Sequence, residues 1–345
     1  MIVRERGIAS VDELDQLLTT PPEALVRDLA ALDGDLMVIG AAGKMGPTLA
    51  TLAQRALDAA GGGKSVTAVA RFSDGAARER LEAAGVTTIA ADLHDPAELA
   101  ALPDAANIVY MLGTKFGTTG AEHQTWATNT YLAGKVAERF SNARWTVFSS
   151  GNIYPFRPVT HGGADESVPP EPVGEYAQTC LARERMFEHI SRKSGTPVTL
   201  FRLNYAIDLR YGVLHDIASQ VHRGDAVDIS MGNVNVIWQG DANAIALRAL
   251  RLADSPPLVL NVTGPETISV RWLVHEFAKR FGVEPKIVGE ESETALLNNA
   301  AASFGHFGYP SMPLATMLDW VADWIERDMP ALDKPTHFQA RDGRF

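Results

Sequence analysis

The stretch Asp35–Gly46, DLMVIGAAGKMG, decides the fold of this chain. Four apolar residues in a row end at Gly40, and Gly43 and Gly46 follow at intervals of three. The apolar run predicts a buried strand, and the residues after Gly46 place their apolar side chains on one helical face. Such a turn can bind a diphosphate, because glycines let backbone N–H groups approach it and a helix N-terminus favours negative charge. The same turn also occurs as a purely structural feature. Whether it binds a diphosphate here therefore has to be judged from the rest of the chain.

Short apolar strands alternate with helices along most of the chain. After the first strand, further strands are expected near 65–70, 86–91, 107–112, 145–148 and 198–203. Helices are expected near 76–84, 95–102, 121–140, 175–193, 241–253, 270–281 and 314–328. This alternation predicts an α/β fold with a Rossmann-type doubly wound parallel sheet, which binds ligands at the carboxyl ends of its strands.

The chain divides into three parts. Residues 1–34 predict a helical extension, with Thr20 as the N-cap of a helix, Pro21 at its first position and Glu23 completing a capping box. Residues 35–205 predict the dinucleotide-binding Rossmann domain. Residues 206–345 form mainly a smaller C-terminal substrate-binding part, whose strands near 234–238 and 258–262 are expected to return to the sheet.

Composition excludes several classes of protein. The net charge of -11 over 345 residues leaves no broad cationic face for nucleic acid or anionic lipid. The single cysteine, Cys180, rules out an internal disulfide. No apolar run has the length of a membrane span, and the N-terminus has no apolar signal core. We expect a cytoplasmic protein, and the scattered histidines predict no metal site.

Taken together and in order, the motifs of this chain resemble the extended short-chain dehydrogenase/reductase family, the NAD-dependent epimerase/dehydratase group. The resemblance covers about 35–328. It rests on Gly40-x-x-Gly43-x-x-Gly46, Asp92-Leu93, Ser149-Ser150-x-x-x-Tyr154, Tyr176 followed by Glu184, Arg202-Leu203-Asn204, Trp238–Asp241 and Leu260–Gly264. The extension before residue 35 is not part of the family pattern.

The resemblance implies a bound nicotinamide dinucleotide. Asp92 would hydrogen-bond the adenine amino group, Leu93 would pack on the ring, and Gly113 and Thr114 would flank the nicotinamide. The complete set of expected cofactor-binding residues is Gly40, Gly43, Lys44, Met45, Gly46, Arg71, Asp92, Leu93, Leu112, Gly113, Thr114, Asn129, Tyr176, Cys180 and Asn204.

The residue beside the second strand bears on the choice of cofactor. A carboxylate at the end of that strand would repel a 2′-phosphate, whereas here Arg71 follows the strand. A guanidinium pairs well with phosphate, which favours NADP over NAD. NAD remains the alternative, with Arg71 in solvent and Asp74 nearby.

The resemblance also implies acid–base chemistry on an alcohol or ketone. Tyr176 would exchange the proton and Ser150 would polarise the substrate oxygen. In the family a lysine four residues after the tyrosine lowers its pKa, but here that position is Cys180. Either Tyr176 works slowly, or another cation substitutes, or hydride chemistry is lost. Lys115, after the fourth strand, is the candidate cation, with a solvated loop lysine as its alternative.

The expected function is that of an NAD(P)-dependent oxidoreductase or epimerase acting on a sugar-like alcohol or ketone. Gly151 and Asn152 stand where the family's dehydratases have acids, which disfavours water elimination. The alternative is a dinucleotide-binding regulator or sensor with reduced or lost catalysis. The helices near 121–140 and 175–193 resemble the family's dimer helices, so we expect a homodimer.

Overall fold

The computed structural model of the chain describes residues 7–73, 75–115 and 120–343. The helices in these ranges are α1 Val11–Leu18, α2 Glu23–Ala30, α3 Gly46–Ala59, α4 Gly75–Ala83, α5 Pro96–Ala101, α6 Glu122–Trp126, α7 Leu132–Arg139, α8 Glu175–Ser194, α9 Val213–Arg223, α10 Gln239–Arg248, α11 Val270–Phe281, α12 Ala301–Phe307 and α13 Leu314–Glu326. The strands are β1 Leu36–Ile39, β2 Val66–Ala70, β3 Thr87–Ala90, β4 Asn107–Tyr110, β5 Arg144–Ser150, β6 Arg157–Pro158, β7 Val198–Leu203, β8 Ala206–Ile207, β9 Ala226–Asp228, β10 Asn233–Val234, β11 Ile237–Trp238, β12 Leu258–Val262, β13 Ile268–Ser269, β14 Lys286–Val288 and β15 Thr294–Ala295.

A seven-stranded parallel sheet in the order β12-β7-β5-β4-β1-β2-β3 forms the centre of the molecule. This confirms the expected Rossmann-type fold. The strand order reverses at β1, where Ile39 pairs with Val69 of β2 on one side and with Tyr110 of β4 on the other. A crevice therefore opens at the carboxyl ends of β1 and β4, which is the place where such sheets bind ligands.

Helices cover both faces of the sheet because each presents one apolar stripe. On α3, the residues Leu49, Leu52, Ala53 and Ala56 are all buried against one face, as the spacing predicts. On the other face, α7 and α8 pack over the aromatic rings of the central strands. There the ring of Phe187 lies 5.4 Å from that of Tyr110 and 5.0 Å from that of Trp145, measured between centroids.

The N-terminal extension packs on both parts of the molecule. The buried leucines of α1, Leu14 and Leu18, belong to the core of the C-terminal part, whereas Leu25 of α2 packs against the sheet. The expected capping by Thr20 is wrong. Its hydroxyl donates to the carbonyl oxygen of Gln16 at 2.7 Å, at the end of α1, and α2 begins after Pro22 without a side-chain cap.

The C-terminal part returns only one of its two expected strands to the sheet. β12 pairs with β7 as expected. The segment 234–238 instead forms parts of two short strands, β10 and β11, which pair with β13 and β8 outside the main sheet. Asn235 separates them, because its buried side chain donates to the carbonyl oxygen of Asn298 and accepts from Asn204, each at 2.7 Å.

A membrane-spanning helix has to be both long and apolar, and none of the helices formed by the described residues is both.

Candidate functional site

The turn after β1 uses its three glycines in different ways. Gly40 has a φ of +89°, and a Cβ on it would lie 2.6 Å from the backbone nitrogen of Leu112. A Cβ on Gly46 would lie 2.4 Å from the carbonyl oxygen of Ala41, so this glycine lets α3 approach the turn closely. A Cβ on Gly43 would meet only the Gly40 carbonyl oxygen, at 3.4 Å. The fold therefore requires Gly40 and Gly46, whereas Gly43 leaves the mouth of the turn open to a ligand.

A cleft of about 600 Å³ runs from this turn past the carboxyl ends of β2, β3 and β4; we call it the dinucleotide cleft. It brings together nine of the expected cofactor-binding residues: Gly40, Gly43, Lys44, Arg71, Asp92, Leu93, Leu112, Gly113 and Thr114. The others lie elsewhere: Met45, Tyr176 and Asn204 line a neighbouring cavity, Gly46 packs beneath the turn, and Asn129 and Cys180 are buried.

The far end of the dinucleotide cleft combines an arginine pair with an acid. Arg71 follows β2, and Arg80 of α4 lines the same end. The Asp92 carboxylate accepts a hydrogen bond from the backbone N–H of His94 at 3.1 Å, and Leu93 is buried beside it. Asp74, the acid that would favour NAD, lies outside the described residues.

A second cavity of about 220 Å³, the inner cavity, joins the dinucleotide cleft at Lys44, Gly113 and Thr114. Ser150 and Tyr176 line it, and so does Lys115. The three expected catalytic residues thus come from a strand end, a helix and a loop, and the fold gathers them in one place.

Within the inner cavity, Tyr176 shares side-chain hydrogen bonds with Ser150 and with the Cys180 thiol. Burial raises the pKa of Tyr176 well above its ordinary value, and Cys180 adds to the rise. Burial also raises the pKa of Cys180. Both groups are therefore neutral at pH 7, which equips Tyr176 to donate a proton and makes its phenolate costly to form.

Two cations, Lys115 and Arg183, line the cavity beside this group, and the charge of Arg183 opposes the rise in the pKa of Tyr176. The Nζ of Lys115 lies 5.9 Å from the centroid of the Tyr176 ring. Burial lowers the pKa of Lys115 to about 8. The amine is thus mostly protonated at neutral pH, and a small change in its surroundings can alter its charge.

A buried polar cluster fixes α8 against the sheet. Arg202 of β7 forms an ion pair with Glu184 of α8 at 2.7 Å, and both side chains are almost completely buried. Glu184 also accepts a hydrogen bond from Ser149 at 2.6 Å, and Arg202 donates to the hydroxyl of Tyr154 at 2.6 Å. Because these contacts join α8 to β5 and β7, they hold the helix face that carries Tyr176 over the end of β5.

Asn129 acts on the cleft through a neighbouring loop. The helix expected over 121–140 contains a π-helical turn, Ala127–Tyr131, between α6 and α7. Within this turn Asn129 accepts a hydrogen bond from the N–H of Thr114 at 2.7 Å and donates to the Thr114 carbonyl oxygen at 3.0 Å. It therefore fixes the loop after β4, which lines both cavities.

Both ends of the chain contribute residues that sequence reasoning missed. Asp15 of α1 lines the dinucleotide cleft and forms an ion pair with Arg210 at 3.0 Å. Lys334 of the C-terminal tail lines the same cleft. Thr336 reaches the inner cavity, and its N–H and hydroxyl donate to Asp216 at 2.7 and 2.6 Å. None of these residues stands in a local pattern that marks a site, because only the tertiary fold brings the termini here.

Four further polar side chains lie beside the C-terminal tail. A third cavity of about 330 Å³ is lined by Arg210, Tyr211, His215 and Arg223, together with residues of the tail. Of these four, only Tyr211 also lines the inner cavity.

A metal site needs several His, Cys, Asp or Glu side chains close together. Within the described ranges, no three His, Cys, Asp or Glu side chains come together as a metal site would require. The absence of a metal stays a prediction.

Comparison with known proteins adds a family and a fold. The model of the NAD-dependent epimerase/dehydratase family matches residues 36–230. A search of curated proteins finds no match. Three similar solved structures each cover 85% of this chain and 99% of their own.

Two of these structures are UDP-glucose 4-epimerases. The enzyme from Thermotoga maritima, solved with UDP-glucose, has 16% identity and a TM-score of 0.69. The enzyme from Thermus thermophilus, solved with NAD, has 17% identity and a TM-score of 0.68. The third is UDP-glucuronic acid 4-epimerase from Bacillus cereus with UDP-glucuronic acid and NAD, at 16% identity and a TM-score of 0.70. At these identities the likeness concerns the fold.

Proposed function

Because the chain belongs to the NAD-dependent epimerase/dehydratase family, we propose that it is an NAD(P)-dependent epimerase or oxidoreductase acting on a sugar-like alcohol or ketone. The dinucleotide would lie in the dinucleotide cleft and the reacting carbon in the inner cavity. Similar structures hold UDP-glucose or UDP-glucuronic acid, which makes nucleotide-linked sugars the first substrates to test.

One observation carries this proposal: Tyr176 and Ser150 are hydrogen-bonded to each other in a cavity that opens into the dinucleotide cleft. In the proposed reaction NAD(P) supplies the hydride acceptor and donor. Tyr176 gives a proton to the substrate oxygen as a ketone is reduced, and it takes that proton back as an alcohol is oxidised. Ser150 donates a hydrogen bond to the same oxygen and so holds it next to the phenol.

The cation that this chemistry needs comes from a different element than in the family pattern. Cys180 occupies the lysine position and cannot stabilise a phenolate, because its thiol is neutral. We assign that role to Lys115, whose Nζ lies 5.9 Å from the centroid of the Tyr176 ring. A positive charge within several ångströms lowers the cost of forming the phenolate.

The cofactor preference follows from the far end of the cleft. Arg71 and Arg80 both line it, and guanidinium groups pair strongly with phosphate. These residues favour NADP, although the similar structures hold NAD. Comparing the two affinities by calorimetry tests the preference.

We further propose a cytoplasmic homodimer. The helices α6 to α8 would form the interface, since Trp126 is 37% exposed and Tyr131 is 62% exposed on this side of the molecule. Sedimentation of the purified protein tests this assembly.

The experiment for the activity is a panel of nucleotide sugars, each incubated with the protein and NAD or NADP. An epimerase leaves no net change in cofactor, so both the sugar products and the absorbance of the reduced cofactor must be measured. A new epimer or a reduced cofactor supports the proposal. A protein that binds the dinucleotide tightly but converts none of the sugars supports the regulator instead.

A further inference from the structure

Lys44 belongs to the glycine turn, but its side chain reaches the opposite wall of the cleft. Its Nζ donates to the carbonyl oxygen of Ala206 at 2.8 Å and lies 3.6 Å from the centroid of the Tyr211 ring. Both partners belong to the segment that leads into the C-terminal part. Since Lys44 lines both the dinucleotide cleft and the inner cavity, it lies at their junction.

The inner cavity carries an excess of positive charge. Among the described residues that line it, Lys44, Lys115 and Arg183 are cationic and none is acidic. Arg183 donates to two backbone carbonyl oxygens, those of Phe148 and Asn129, which are neutral.

The carboxylates around Lys44 act from a distance and have other partners. Asp208 binds Arg210 at 2.9 Å, and Asp216 accepts the two hydrogen bonds from Thr336. Among the ion pairs formed by described residues, none includes Lys44. Its ammonium group has three N–H donors, and the contacts named above are a neutral carbonyl and an aromatic ring.

The acid–base state of Lys44 agrees with this geometry. Burial lowers its pKa to about 7. The charges of Lys115 and Arg210 contribute to the lowering, and those of Asp208 and Asp216 oppose it. An anion bound next to Nζ would favour the protonated amine and so would gain affinity from it.

The diphosphate of a dinucleotide does not need this side chain. In this fold it is bound by backbone N–H groups of the glycine turn and by the N-terminus of the following helix, here α3. Lys44 leaves the turn and contacts Ala206 on the other wall. Its charge is thereby directed at the substrate side of the junction.

We propose that Lys44 binds an acidic group of the substrate, a carboxylate or phosphate oxygen, at the junction of the two cavities. This inference rests on the proposed function, since it takes the inner cavity as the place of the substrate. It adds to that function the place of an anionic group of the substrate, next to Lys44.

The test is a calorimetric titration of the NADP-saturated protein with inorganic sulfate, an anion of constant charge near neutral pH. The 2′-phosphate of NADP then occupies the proposed site beside Arg71 and Arg80, so sulfate cannot bind there. Sulfate is expected to bind, and Lys44→Met should weaken it by about 10- to 100-fold, the range for a lost hydrogen bond to a charged group. Lys44→Arg keeps the charge and should retain most of the affinity. Lys279→Met is the control, because Lys279 is exposed on α11 and lines neither cavity.

The pH dependence has a defined sign. Binding favours the protonated amine, so sulfate affinity should fall as the pH rises through about 7, and Lys44→Arg should remove much of that fall. Displacement of sulfate by UDP would identify a nucleotide phosphate as the partner, and displacement by D-glucuronate a sugar carboxylate. Either result supports the assignment.

Three results would overturn it. They are no sulfate binding by the NADP-saturated protein, sulfate binding by Lys44→Met as tight as by wild type, and equal losses of NADP and sulfate affinity in Lys44→Met. Equal losses would mean that Lys44 binds the cofactor.

The test of Lys44 can fail independently of the test of the proposed function. An enzyme that epimerises neutral sugars and binds no sulfate refutes only this inference. A protein that fails to turn over any sugar but binds sulfate through Lys44 refutes only the activity.

Discussion

The glycine turn and the inner cavity are formed in different ways. At the glycine turn the backbone forms the binding surface, because Gly40 and Gly46 allow close approaches to Leu112 and Ala41 and Gly43 leaves space for a ligand. In the inner cavity side chains form the site, and Tyr176 lies near Lys115 only because a helix and a loop converge there. A site formed by the backbone depends on a few adjacent residues. In a site formed by side chains, a charge that one helix or loop has lost can be supplied by another.

The largest effect should come from closing the space at the turn. Gly43→Leu is expected to abolish dinucleotide binding and leave the melting temperature nearly unchanged, because the nearest atom to its Cβ is a carbonyl oxygen at 3.4 Å. Calorimetry with NAD and NADP and a thermal melt measure the two effects. Gly305→Leu, at a helix position with open space around it, is the control.

The matched change at Gly40 sharpens this contrast. Gly40→Ala should lose stability, about 1–3 kcal/mol for a side chain forced into a positive φ, before any effect of the clash with Leu112. If Gly43→Leu unfolds the protein as well, or still binds the dinucleotide, the division of roles among the glycines is wrong.

The next largest effect is expected in the inner cavity. Tyr176→Phe should lower the turnover rate by ~10²–10⁴, the usual loss for a general acid–base group, with a much smaller change in dinucleotide affinity. Tyr309→Phe, at an exposed tyrosine far from the cleft, is the control. Wild-type turnover in Tyr176→Phe would place the chemistry on another group.

Arg71→Asp should produce a smaller change, confined to the far end of the dinucleotide cleft. Removing a guanidinium from a phosphate costs about 1.5–3 kcal/mol, so the ratio of NADP to NAD affinity should fall by about 10- to 100-fold. Arg27→Asp alters the same charge on α2, away from the cleft. An unchanged ratio in Arg71→Asp would mean that this side chain faces solvent in the complex.

The smallest effect concerns the position where the family pattern is broken. Cys180→Lys places a cation one helical turn from Tyr176, which should lower the raised pKa of that phenol. Less alkaline solution then suffices to form the phenolate, so the pH profile of alcohol oxidation should move to lower pH. Cys180→Ala should leave the profile close to that of wild type. A Cys180→Lys protein with an unmoved profile would remove Tyr176 as the titrating base.

The sequence predicts features that depend on neighbouring residues better than features that depend on tertiary packing. The sheet and the glycine turn depend on local pattern, and the structure confirms the sheet. Ser150 and Tyr176 were also found by local pattern and line one cavity, but their roles stay predictions. Thr20 shows the limit of local pattern, because its hydroxyl had a competing carbonyl at the end of α1. Asp15 and Thr336 could not be predicted, since they reach the cleft only through packing of the chain ends.

One measurement tests the central claim most directly: a crystal structure of the protein grown with NAD. The diphosphate is expected on the N–H groups of the turn after β1, and the nicotinamide ring in the inner cavity, within contact of Tyr176 and Ser150. Lys115 is expected beside the nicotinamide ribose, in place of the missing lysine. A nicotinamide that lies outside the inner cavity, or a Tyr176 out of contact with it, would contradict the account.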